Sequence, residues 1–128
     1  MIGLAAFVLM QAAAPQVEPV PPATVQAYYD CAAGRTEALA RERARRAVSD
    51  IVASAISACA HLRGQALDAA LALMLEDPGV REWIRRDNVP DAQARQVGEV
   101  EFDRALRRQL LRNVGANPDA EEVRDAQD

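Results

Sequence analysis

The chain has 128 residues, room for one domain, and although half of it counts as hydrophobic, 27 of those residues are alanine and add little area to a core. All fifteen basic residues are arginine and none is lysine, which together with the alanine excess reads as the codon bias of a GC-rich genome before it reads as a recognition surface. The net charge of −4 lies wholly in residues 115–128, where five acids face one arginine, so the body is neutral and a generic polyanion binder is argued against.

The first stretch, MIGLAAFVLMQAAAPQ, carries an apolar run from Ile2 to Met10 followed by Ala12, Ala13 and Ala14. That is the form of a secretory signal peptide spanning 1–14, with a small-x-small cleavage site. Its amino-terminal region holds no Arg or Lys and cleavage after Ala14 would leave Pro15 next, which is explained if the true start lies upstream. The competing reading is a buried N-terminal helix. An anchor spanning a bilayer needs about 20 apolar residues, more than the run supplies, so membrane attachment is expected only through an uncleaved N-terminus. In an oxidising compartment the two cysteines, Cys31 and Cys59, are by default a disulfide.

Residues 15–23 form a Pro-rich spacer, and a helical domain is expected over 24–114. Thr24 is its candidate N-cap, and Val25, Tyr28, Tyr29, Ala32, Thr36 and Leu39 then recur at helical spacing. Gly34 weakens this first helix without ending it. Then comes ARERARRAVSD, with Arg41, Arg43, Arg45 and Arg46 and no Gly or Pro. If one helix ran through it, the cysteines would stand about 42 Å apart and no bridge could form. If the chain reverses there, residues 31 and 59 are equidistant from position 45 and can face each other across two antiparallel helices, within the roughly 6 Å a disulfide permits. The hairpin is the reading adopted, with the arginines solvated on an exposed connection and Ser49 and Asp50 as caps.

A second helix is read through to Asp77, with Val48, Val52, Ala55, Cys59, Leu62, Ala66 and Leu73 in one stripe flanked by Ile51, Ile56 and Met74. Asp77 and Pro78 then cap and start a short helix, VREWIRR, in which Arg81, Arg85 and Arg86 interleave with Trp83 and Ile84. The spacing could suit an anionic surface, but the favoured reading has Trp83 and Ile84 covering the end of the hairpin and the arginines wet. A last helix runs from about Asp91 to Asn113, with Phe102, Leu106, Leu110 and Val114 on one side and Gly115 as its stop. Val97 and Val100 sit off that stripe, which predicts a kink or register change near Gly98. Residues 115–128 are expected to be an acidic disordered tail.

Little in the chain points to chemistry. Cys59 and His61 are two residues apart on a helix and point away from each other, so they cannot share a metal, and no metal or cofactor is expected. Ser49, Ser54 and Ser57 lack a nucleophile elbow, and the carboxylates stand at ion-pair spacing from arginines, as Asp103 does from Arg107. The signal-like start, the spacer, the early cysteine helix and DIVASAISAC resemble small exported helical proteins of GC-rich proteobacterial genomes, over about Tyr28 to Leu62. That resemblance implies export and a disulfide hairpin and supplies no site. The expectation is therefore an all-α fold: a disulfide-pinned antiparallel helical hairpin plus one or two C-terminal helices, periplasmic or secreted, with no enzymatic activity. Its expected role is a structural or protein-interaction module for an envelope protein or a second copy of itself, with Arg41, Arg43, Arg45, Arg46, Trp83, Arg85 and Arg86 as candidate contacts and no nucleic-acid partner. The alternative is a small binder or inhibitor of an envelope enzyme, inserting the arginine turn into a cleft.

Overall fold

The computed structural model describes residues 20–42 and 46–119. The signal-like start, most of the spacer, Arg43 to Arg45 and the acidic segment 120–128 lie outside the described residues. Within them every regular element is a helix: α1 (Ala23–Glu42), α2 (Val48–Ala58), α3 (Ala60–Glu76), α4 (Pro78–Arg86) and α5 (Asp91–Asn113).

Helix α1 starts directly after Pro21 and Pro22, and the Pro22 carbonyl accepts the Gln26 N–H at 3.0 Å. Thr24, expected as the cap, instead sits inside the helix with its Oγ1 buried and without a hydrogen-bond partner among the described residues. Gly34 does not interrupt the helix. The chain has reversed by Val48, and α1 packs antiparallel against α2 and α3. Cys31 and Cys59 are joined by a disulfide with Cα atoms 6.1 Å apart. At the start of α2, Ala47 takes the capping position with no side-chain hydrogen bond, so Ser49 and Asp50 are not caps; Asp50 stands in the first turn, where its charge complements the helix dipole.

The single second helix expected from the sequence is two. At Cys59 the backbone has φ −104° and ψ 12°, Cys59 donates to the Ile56 carbonyl at 3.1 Å, and Leu62 donates to that of Cys59 at 3.0 Å. Both bonds span three residues, so the ladder tightens to a 3₁₀ turn there. Beyond it the buried face changes. Cys59 and Ala66 are fully buried toward α1, whereas Leu67 and Leu71 are buried further on and Leu73, expected in the stripe, is 49% exposed. The reason is a change of neighbour: late in α3 the partner is α5. Gly98 of α5 comes so close that a methyl group on it would stand 2.5 Å from Leu71 Cδ2 and 2.7 Å from Met74 Sδ. Helix α5 is one continuous element from Asp91 to Asn113, and within it Gly98 serves the close approach of α3.

Helix ends follow their local chemistry. Asp77 Oδ1 accepts from the Gly79 and Val80 amides at 2.8 and 3.1 Å, with Pro78 in the first turn of α4, as the sequence suggests. Asn88 takes a left-handed φ of 51° after α4, letting Val89 donate to the Ile84 carbonyl at 3.0 Å. Gly115, at φ 77°, does the same after α5, with Ala116 donating to Leu111 at 2.9 Å. Both are Schellman closures. The second brings Ala116 onto the core formed by Tyr28, Ala32, Val52, Cys59, Ala66, Leu106, Leu110 and Leu111.

Candidate functional site

The residues singled out by the sequence do not converge. Cys31 and Cys59 form the cross-link and are thereby structural. Arg41 pairs with Glu37 one turn earlier on α1, Arg46 borders a hollow of about 210 Å³ with Ala40, Val48, Ile51 and Val114, and Arg43 and Arg45 lie outside the described residues. On α4, Trp83 and Ile84 are half-buried while the arginines are exposed and locally engaged: Arg85 with Glu82 at 2.7 Å, Arg86 with Asp87 at 3.0 Å, and Arg81 with the Leu75 carbonyl at 3.0 Å. Cys59 is buried and His61 exposed. Among the described residues no group of three His, Cys, Asp or Glu side chains is placed to hold a metal, and no helix is long and apolar enough to cross a membrane.

A concavity does exist between the first half of α1 and the middle of α5. It measures about 340 Å³ and is lined by Pro21, Val25, Tyr28, Tyr29, Phe102 and Leu106, with the amides of Gln26 and Gln109 at its polar margin. The helical spacing of Val25 and Tyr29 on one wall and of Phe102 and Leu106 on the other puts each pair on one face. The floor is organised by Tyr28, whose ring stacks on Phe102 with centroids 6.0 Å apart. One rim is pinned where Asn113 Nδ2 donates to the Tyr29 hydroxyl at 2.9 Å.

Beside the buried Tyr28 lies a polar tie between α3 and α5. Arg63 donates through Nε and Nη2 to the two carboxylate oxygens of Asp103, at 3.0 and 2.7 Å, and through Nη2 to Glu99 Oε1 at 2.8 Å. Glu99 and Asp103 are one turn apart on α5, so a single guanidinium spans both. Their hydrogen bonds, Asp103's above all, hold Arg63 more firmly protonated than usual, against a small burial penalty. Tyr28 Oη has no hydrogen-bond partner among the described residues. Burial raises its pKa above the ordinary phenol value, the Asp103 charge adds to that, and Arg63 opposes it. This network was missed by the sequence reading, which placed Asp103 at pairing distance from Arg107 along its own helix. The available signal was two acids four residues apart, Glu99 and Asp103, but only the tertiary packing identifies Arg63 as their partner.

As chemistry, the site offers an apolar recess with amide and phenol margins and an ion-paired clamp behind it. It supplies shape and desolvation, with no activated nucleophile among its lining groups. The chain matches no protein-family model, no curated protein and no solved structure.

Proposed function

We propose that the protein works without catalysis, as a protein-interaction module of the cell envelope, periplasmic or secreted. Its recess between α1 and α5 receives an apolar anchor of a partner protein. The observation that carries this reading is the composition of the recess: aliphatic and aromatic side chains converge on it and only neutral polar groups border it. A volume of about 340 Å³ is at the low end for small-ligand pockets, suited to one large aliphatic or aromatic side chain offered by an uncharged segment. The disulfide supports the location, because such bonds persist in oxidising compartments.

The test introduces a charge at the recess without replacing a fully buried residue, although Val25 packs against the core cluster. Val25→Asp and Ala105→Glu alter its wall and rim, and Ala53→Glu on the exposed face of α2 is the control. A partner cross-linked to the native chain and to the control in envelope extract should be lost from the recess variants, whose helical circular dichroism stays native. Retention of that partner by both recess variants would refute the assignment of the recess. Recovery of the chain from the cytosol with free thiols would refute the location.

A further inference from the structure

Helices α2 and α3 part at Cys59, in a stretch with every local reason to stay helical. From Ala55 to Leu62 there is no Gly or Pro, and Ala58 and Ala60, on either side of the break, are the best of helix formers. Val48, Val52, Ala55, Cys59, Leu62 and Ala66 keep helical spacing across it. Ser57, Ala58, Ala60 and His61 are exposed, so of the residues at the break itself only Cys59 turns inward, at 0% exposure. Neither local chemistry nor packing on the outer face accounts for the tight turn. What sets residue 59 apart is its covalent bond to Cys31 on α1.

We infer that the Cys31–Cys59 bridge is a thiol-operated switch on the path of the chain. Oxidised, it holds α2 and α3 as two helices; reduced, it releases them into one helix from Val48 to Glu76. Tightened turns inside helical sequence commonly mark hinges. In the released form the Cys59 N–H passes from the Ile56 carbonyl to that of Ala55, and the Arg63 N–H takes over the Cys59 carbonyl from Leu62. The change is felt at a distance. Leu71 lies twelve residues beyond the hinge, about 18 Å along α3, so a small change of direction at Cys59 shifts it on Gly98, where the two helices are in closest contact. The approach of α3 to α5 thereby registers the redox state of a bond anchored on α1.

Reduction has one point of entry. Cys59 is fully buried and Cys31 half-buried, so a thiolate arriving from solvent meets the Cys31 sulfur. With a dithiol as reductant, its first thiolate bonds to Cys31, and Cys59 leaves as a thiolate and takes a proton. Its second thiolate then attacks the mixed disulfide, Cys31 leaves and takes a proton, and the reductant departs as a disulfide. Two electrons and two protons reach the bridge. The inference rests on the cross-link alone and holds whether or not the recess binds a partner.

The experiment compares the full chain oxidised, the same chain reduced with dithiothreitol, and Cys31→Ala, by nuclear magnetic resonance. The coupling between the amide and α protons of residue 59 should be large in the oxidised chain, as φ −104° requires, and should fall to the small value of a helical φ in the other two. Contacts between the Leu71 methyls and the Gly98 α protons should be lost in the same two samples, and reoxidation of the native chain should restore them. A small monothiol added to the oxidised chain, with the freed thiol alkylated, should be found on Cys31 by peptide mass. A coupling at residue 59 that stays large in both the reduced chain and Cys31→Ala would overturn the inference, since packing would then hold the break. So would loss of the helical circular dichroism on reduction, because a switch needs two folded forms. Attachment of the monothiol to Cys59 would overturn the point of entry.

Discussion

Tyr28 combines the largest of the fully buried side chains with a hydroxyl that has no hydrogen-bond partner among the described residues. Its ring contributes to the core through area and through stacking on Phe102, while the buried oxygen carries a desolvation cost without a compensating bond. Tyr28→Phe keeps the ring and removes the oxygen, so at neutral pH it should leave stability unchanged or raise it by up to about 1 kcal/mol. The two proteins should then diverge in alkali. The folded-state pKa of Tyr28 is raised, so its contribution is fully present below the ordinary phenol value near 10 and is lost as pH rises through the higher folded value, because the unfolded chain ionises first. Urea midpoints between pH 8 and pH 11 check this: the native midpoint should fall more steeply above pH 10 than that of Tyr28→Phe, and parallel curves would contradict it. That Tyr28 belongs to the core was legible from its spacing with Val25 and Ala32. The state of its hydroxyl was not, because it depends on Arg63 and Asp103, which sequence separation hides and packing brings close.

Among the elements, the places where spacing misled are those where a helix changes partner. The stripe from Val48 to Leu73 assumes one neighbour along the whole length. Its first part, to Ala66, does face α1, but after the tight turn at Cys59 the later part of α3 also packs on α5 and buries Leu67 and Leu71 in place of Leu73. The role of Gly98 was hidden for a related reason: a glycine inside a helix can mark a bend or a close approach, and the close approach shows only once Leu71 and Met74 face it. Three of the helical glycines, Gly34, Gly64 and Gly98, should therefore respond differently to alanine. Gly34 and Gly64 have open space where a methyl would go, so each substitution should stabilise by up to about 1 kcal/mol through helix propensity. At Gly98 the same gain is outweighed by an overpacking cost of about 1 to 3 kcal/mol, since the buried Leu71 and the neighbouring Met74 must both shift to admit the methyl group. The expected net loss for Gly98→Ala is about 1 kcal/mol, and Gly98→Val should lose more. Urea midpoints of the four variants settle the order. A Gly98→Ala chain as stable as the native one would remove the close approach from this account of how α3 meets α5.

At the scale of the whole molecule, the core is thin for the number of helices it serves. Among the described residues six of the thirteen buried hydrophobic side chains are alanine, cysteine or valine, and Tyr28 is the one aromatic among them. A domain of this size has about 5 to 15 kcal/mol of stability, and modest burial puts it toward the lower end. The cross-link is then a major share. Closing a loop across a sequence separation of 28 residues stabilises by about 3 to 4 kcal/mol in the chain-entropy model. Reduction should therefore lower the urea midpoint by an amount matching 3 to 4 kcal/mol, while near-native helical content survives in the absence of urea. The size of the effect alone does not show that loop closure is the cause, since a reduced core could also repack around two thiols. Lengthening the connection separates the two. Twelve flexible residues inserted between Glu42 and Arg46 cost the reduced chain only about 0.3 kcal/mol, because closure entropy grows with the logarithm of loop length. In the oxidised chain the same insertion enlarges the loop already closed in the unfolded state, and the gap between oxidised and reduced midpoints should widen by a similar small amount. If the gap instead collapses, the bridge stabilises through the geometry of the arginine-rich turn, and the hairpin is held by that turn more than by its sulfurs.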